Sequence, residues 1–222
     1  MIRKLFLGFI WLILVIYAFF LAPESAPASE TLDLIVNLSV GEWSGINPLV
    51  VAIFCIMGIF PWVYGALILF DSPEQKISAY PFFIGSMGFG AFALLPYLIL
   101  RQPNPHWQSE KNWFLKILDS RLLAISTTIA IAVFLVWGLA NGDWSDFISQ
   151  WQSDRFIHVM SLDFCLLSLL FAAILPDDMK RRGVEAKWFW LVACLPLLGT
   201  LIYWCCRPQL SSNVVQSKKL PA

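Results

Sequence analysis

Six stretches of this chain are apolar over nearly the length needed to cross a lipid bilayer, and this limits every fold open to it. They lie at about 5–22 ("LFLGFIWLILVIYAFFLA"), 47–70, 79–100, 120–140, 157–175 and 187–206. A hydrocarbon core about 30 Å thick takes roughly 20 residues of helix. Lipid offers no partner to backbone N–H and C=O groups, so a spanning segment is either a helix or a strand of a closed barrel. Barrel strands alternate apolar and polar residues, and these runs do not. The sequence therefore predicts an all-α integral membrane bundle of about six transmembrane helices.

Composition points the same way. The chain is 59% hydrophobic and 14% charged, with a mean hydropathy of +0.71, whereas a soluble domain is about 45–50% apolar and about 25% charged. Fifteen basic and fifteen acidic residues cancel, which argues against nucleic acid as a partner and leaves the lipid bilayer as the first one. Three regions are expected: an N-terminal helix with an acidic loop (1–46), a multispan domain (47–208) and a disordered polar tail (209–222) holding Ser211 and Ser212. Arg3, Lys4 and the small residues "APAS" at 26–29 permit a cleaved signal peptide. The first run is longer than the roughly 7–15 apolar residues of such a signal, which favours a retained helix. The five cysteines all lie within or at the end of apolar runs and read as small hydrophobes; acylation of Cys205 and Cys206 is the sharper alternative.

Charge placement sets up a conflict. The connections at about 101–121 and 176–187 hold four basic residues each, and those at about 71–78 and 141–156 hold one each. Basic loops stay on the cytoplasmic side. With six crossings, that assignment puts Arg3, Lys4 and Arg207 on the far side, although the loop after the first helix is purely acidic. Both signals are satisfied if the second run, interrupted by Pro61, fails to cross or lies re-entrant. The second and third runs are expected to form a hairpin, and aromatic segments at about 107–118 and 143–156 to lie as amphipathic helices in the interface.

Within the spans, Ser86, Gly90 and Ala93 make a small-residue face suited to helix packing. Asp163 lies about six residues into the fifth run, roughly 9 Å deep at 1.5 Å per residue. A carboxyl group there costs about 2.5–3.5 kcal/mol on insertion scales unless it is protonated, paired or hydrated. Its own helix offers Val159, Met160, Leu166 and Leu167 at three and four positions away, none of them a donor. The donor must come from another helix: Ser126, Thr127, Thr128, Thr200, Tyr203 and Ser86 are the candidates, with His158 poorly placed for a relay. Asp163 then serves packing, a ligand or pigment, or a proton or ion. Lys180, Arg181 and Arg182 end that helix as a topology anchor for anionic headgroups.

No H-E-x-x-H or G-x-S-x-G motif occurs. Two histidines, His106 and His158, are too few for a multi-histidine metal site. No catalytic or metal-ligating residue is assigned. No cofactor is predicted, though pigment or lipid is open.

The stretches "FGAFALLPYLILRQPN", "SDRFIHVMSLDFCLLSLLFAAILPDDMKRRG" and "WFWLVACLPLLGTLIYWCCRP" resemble a group of uncharacterised small multispan proteins of cyanobacteria and plastids. The resemblance covers roughly residues 79–208. It implies a photosynthetic organism and its plasma, thylakoid or plastid membranes, and carries no activity with it. The leading expectation is a non-catalytic assembly or scaffold factor for a membrane complex and its subunits. The alternative is a binder or transporter of a small ligand, pigment or ion through Asp163. A third is a membrane enzyme of isoprenoid or pigment metabolism, with Asp163 and Glu110 as candidate acids.

Overall fold

The computed structural model describes residues 2–71, 75–104 and 110–210, and these form helices with no strand among them. His106, Trp107, Ser211 and Ser212 lie outside the described residues. Helix α1 (Ile2–Ile16) runs on through a π-turn at Tyr17–Leu21. Helix α2 (Ala28–Val40) follows, where an acidic loop was expected, and closes on Gly41 in the left-handed region. Next come α3 (Pro48–Ile68), α4 (Tyr80–Leu100), α5 (Trp113–Leu118), α6 (Arg121–Asn141) and α7 (Trp144–Ser153). The chain ends with α8 (Arg155–Leu170), α9 (Leu175–Arg181), α10 (Trp188–Ala193) and α11 (Leu198–Cys206). Five of these helical stretches are long and apolar enough to cross a membrane, in keeping with the multispan bundle expected from the sequence.

The path of the third apolar run is the main departure from the sequence reading. Gly90 has φ 45° and ψ −125°, and the chain reverses there. In a straight helix Phe82 and Tyr97 would stand roughly 22 Å apart, yet their ring centroids are 5.6 Å apart. A Cβ placed on Gly85 would lie 3.1 Å from that of Ala93. The two ends meet as well: Gln75 Nε2 donates to the Gln102 carbonyl at 2.8 Å, and the Gln102 N–H donates back to Gln75 Oε1 at 2.7 Å. Residues 80–100 are thus a re-entrant hairpin of two half-helices. The sixth run does the same. Leu197 has φ 66°, and a Cβ on Gly199 would lie 2.3 Å from the Val192 carbonyl oxygen, so α11 returns alongside α10.

With two runs re-entrant, the charge conflict disappears. Helices α1, α3, α6 and the α8–α9 stretch traverse the bundle, and every strongly basic segment falls at one end. Arg3 Nη2 and Lys4 Nζ donate to the carbonyls of Arg101 and Leu100 at 2.9 and 3.3 Å, so the start of α1 caps the end of the returning half-helix. The re-entrant element is the third run, not the Pro61-containing second, which stays helical throughout. At the other end, Asn47 Nδ2 donates to the Asp143 carbonyl and Asp146 Oδ2, both at 2.7 Å, joining the start of α3 to the start of α7, just past the end of α6. Along that seam Gly138 and Gly142 form a Gly-x-x-x-Gly face. Added Cβ atoms would come within 2.5 Å of Ala52 and 2.4 Å of Leu49, an approach only small residues permit.

The chain repeats itself. A crossing helix, an interfacial helix, a second crossing and a re-entrant hairpin occur as α1, α2, α3, α4 and again as α6, α7, α8–α9, α10–α11. At the shift that carries Asp71 onto Asp177, Ile68-Leu69-x-Asp71 recurs as Ile174-Leu175-x-Asp177. Leu95-x-Tyr97-x-x-x-Arg101 recurs as Leu201-x-Tyr203-x-x-x-Arg207.

Those recurring residues build an ionic junction at the basic end. In the first repeat Asp71 accepts from Tyr97 Oη at 3.0 Å and from Arg101 Nη2 at 2.9 Å. In the second, Asp178 takes this role, accepting from Tyr203 Oη at 2.8 Å and Arg207 Nη1 at 3.0 Å. Asp177 pairs instead across the repeats with Arg101, as Asp71 does with Arg181. Arg182 joins Asp178 to Asp119. Arg207 also donates to the Ala66 carbonyl at 3.0 Å, satisfying the end of α3. Burial alone would lower the pKa of Arg101, but Asp71 and Asp177 more than reverse this and raise it above the ordinary value.

Arg181 and Arg182, expected on lipid headgroups, are consequently buried in this junction, because Asp71, Asp119 and Asp178 gather them inward; Lys180 alone of the three is exposed. Single cysteines replacing Ser78 and Gln102 should react with a membrane-impermeant maleimide from the same side, and one replacing Ser145 from the opposite side. Asp178→Ala should destabilise the protein by about 3–5 kcal/mol, the cost of stranding a buried charge. Lys187→Ala, which breaks an exposed pair with Glu185, should cost less than about 1 kcal/mol. Both are read from thermal denaturation in detergent.

Candidate functional site

The reversal at Gly90 uncovers backbone donors in the middle of the bundle. An uninterrupted helix would pair the Ala91 N–H with the carbonyl four residues back. The broken one presents it to α8, where Asp163 Oδ1 accepts it at 2.9 Å. Asp163, 3% exposed, therefore caps a half-helix inside the membrane. Its donor is a main-chain group of the third run, which no inspection of side chains could have supplied. The glycine is required twice over. Its φ is positive, and a Cβ there would sit 1.8 Å from Asp163 Oδ2. Gly90 does mediate a close approach between elements, but the partner is a carboxylate.

The returning half-helix has a second loose end. Pro96 has no N–H, so in this helix the Phe92 carbonyl loses its usual donor. Trp11 Nε1, on α1, donates to it at 3.0 Å. On α8, the turn at Phe171–Ala173 is 3₁₀, and the Leu167 carbonyl accepts from Tyr64 Oη of α3.

These elements border a cavity of about 510 Å³ that is open on one side. Phe54 and Met57 of α3, the Ser86–Gly90 turn, and Val159, Met160 and Asp163 of α8 line its depth. Phe19, Ser25, Thr31 and Arg155 stand toward the acidic-loop end. The Arg155 guanidinium is tied by Nε to the Pro23 carbonyl at 2.8 Å. The walls are contributed by both repeats, and the one carboxyl group lining the cavity, that of Asp163, sits at the seam.

The other anticipated partners are elsewhere. His158 stacks on Trp151, with ring centroids 4.2 Å apart, and its two nitrogens face the Trp151 carbonyl at 2.7 Å and Tyr17 Oη at 2.9 Å. A carbonyl only accepts, so Nδ1 carries the proton, and in the neutral ring Nε2 accepts from the tyrosine. This fastens α1 and α7 to α8 and leaves no relay to Asp163. Tyr203 belongs to the ionic junction, and Thr128 faces Cys205 Sγ at 3.3 Å. Ser126 is exposed and donates to Leu123; Thr127 and Thr200 are buried, and neither bonds Asp163. Ser86 lines the cavity but donates to the Phe83 carbonyl at 2.7 Å, and Ala93 packs against Gly85. Among the described residues no three His, Cys, Asp or Glu side chains group as metal ligands.

No protein-family model, curated protein or solved structure matches this chain.

Gly90→Ala should lower the stability of the bundle by about 2 kcal/mol or more, combining positive-φ strain of roughly 1–3 kcal/mol with the collision at Asp163. Gly88→Ala, two residues away with open space around it, should leave the thermal midpoint nearly unchanged.

Proposed function

We propose that this protein is a membrane-embedded binder of a small amphiphilic molecule, held between its two repeats with Asp163 as the polar anchor. One observation supports the reading above all: a cavity of about 510 Å³, with five Phe and three Met in its walls and a single buried carboxyl group at its depth. Ligand sites are commonly a few hundred cubic ångströms, mostly apolar, with few polar groups that fix orientation. Membrane proteins built from repeats place such sites at the repeat interface, beside interrupted helices. The assembly-factor expectation has only the sequence behind it, and no contact favours the enzyme reading. On the resemblance of residues 79–208, the membrane is that of a cyanobacterium or plastid.

Gly58 provides the test. It lines the cavity, and a Cβ there would meet nothing within 4 Å, so a larger side chain fills the space without displacing the backbone. Purified protein in nanodiscs is titrated with a dansyl-labelled ten-carbon alcohol, and energy transfer from tryptophan is read above empty discs. Gly58→Phe is expected to weaken binding at least tenfold at an unchanged thermal midpoint. Equal binding by the variant and the wild type would remove the cavity from consideration.

A further inference from the structure

We infer that the preferred occupant of this cavity carries a cationic head, a protonated amine on an apolar body; this rests on the binding role proposed above. The carboxyl group of Asp163 is only half engaged. Oδ1 holds the Ala91 N–H, while Oδ2, lying over Gly90, has no donor among the described residues. Burial resists charge on this group, and its place at the N-terminal end of the Ala91–Leu100 half-helix, where the backbone dipole is positive, offsets part of that cost until a cation arrives.

No neighbouring side chain completes it. The Tyr64 hydroxyl is given to Leu167, that of Ser86 to Phe83, and the His158 ring lies between Tyr17 and Trp151. Arg155 is two turns earlier on α8, roughly 12 Å along the axis, and held at Pro23. A buried carboxyl group with one free oxygen and no counter-charge nearby is a site built for a donor.

The turn supplies the remaining acceptors. Ser86, Met87, Gly88 and Phe89 end the incoming half-helix and line the same cavity. The last four carbonyls of a helix have no intrahelical donor, and that terminus carries the negative end of the dipole. An ammonium group has three donors, one for Oδ2 and two for these carbonyls. A bare divalent metal ion is a poorer match. It needs about six oxygens or retained water, and here a lone carboxylate faces a phenylalanine- and methionine-lined space. The apolar body of an amine amphiphile lies naturally against Phe54, Met57, Phe156 and Met160.

The same nanodisc titration separates the possibilities. Two dansyl-labelled ten-carbon chains are compared, one ending in a primary amine and the other in a hydroxyl. The wild type is expected to bind the amine at least tenfold more tightly. Asp163→Asn keeps an oxygen for the Ala91 N–H but loses the charge, and should bind both chains like the alcohol. Equal affinities in the wild type overturn the cationic assignment while leaving the binding role in place. Preference surviving in Asp163→Asn overturns it too, by removing Asp163 as its source. Binding of neither probe above empty discs sinks the binding role itself. Should Asp163→Asn fail to fold, the wild-type comparison of amine with alcohol decides alone.

Discussion

A polypeptide that turns back within a bilayer leaves peptide groups where no water can reach them, and each unpaired one costs several kcal/mol. The contact between Asp163 and the Ala91 N–H answers that cost at the tip of the first hairpin. Trp11 does the same for the carbonyl that Pro96 leaves without a donor, and Tyr64 for a carbonyl on α8. The hairpin is therefore held from three directions, by α1, by α8 and by its own ends at Gln75 and Gln102. None of these contacts is worth much in water. In lipid they decide whether the turn exists.

At the basic end the problem is charge, not peptide groups. Four arginines and four aspartates are almost fully removed from solvent, and pairs of this kind gain little net stability over a well-packed apolar core. Their value is in register. Asp71 and Asp178 each fasten a tyrosine and an arginine four residues apart on a returning half-helix. Arg101 and Arg181 then tie one repeat to the other. A hairpin displaced by one turn would leave a buried ion without its partner. The charges set depth and position, while Gly138 and Gly142 set how closely α3 and α6 meet.

The sequence displayed the apolar runs, the buried carboxyl group and the clash between basic loops and six crossings, and each is visible in the fold. The α7 helix follows the Trp144, Phe147, Ile148, Trp151 stripe. Hydropathy could not say which run fails to cross, because a half-helix pair and a single span are equally apolar. The deciding signal was Gly88-Phe89-Gly90 beside Pro96, which resembles a packing face until the reversal is known. Helix α2 was hidden by its acidic residues, and Gly138-x-x-x-Gly142 by its place at the end of a span. Arg181 and Arg182 misled because a basic cluster at a membrane edge has the same sequence whether it meets headgroups or buried aspartates. The repeat was present in the letters, but only a few positions match, and these gain meaning once Tyr97–Arg101 and Tyr203–Arg207 are seen doing the same task.

Each repeat contains two crossings and a hairpin, an even count, so the second half enters the membrane with the orientation of the first and needs no additional helix between them. Two such units are related by rotation about the membrane normal, and the shift that matches Asp71 with Asp177 also matches Met57 with Asp163. Both residues line the same cavity. The pseudo-symmetric architecture thus offers two equivalent stations at mid-depth, one filled by a thioether and one by an acid. Symmetry makes the chamber, and its breaking at a single residue gives that chamber a direction.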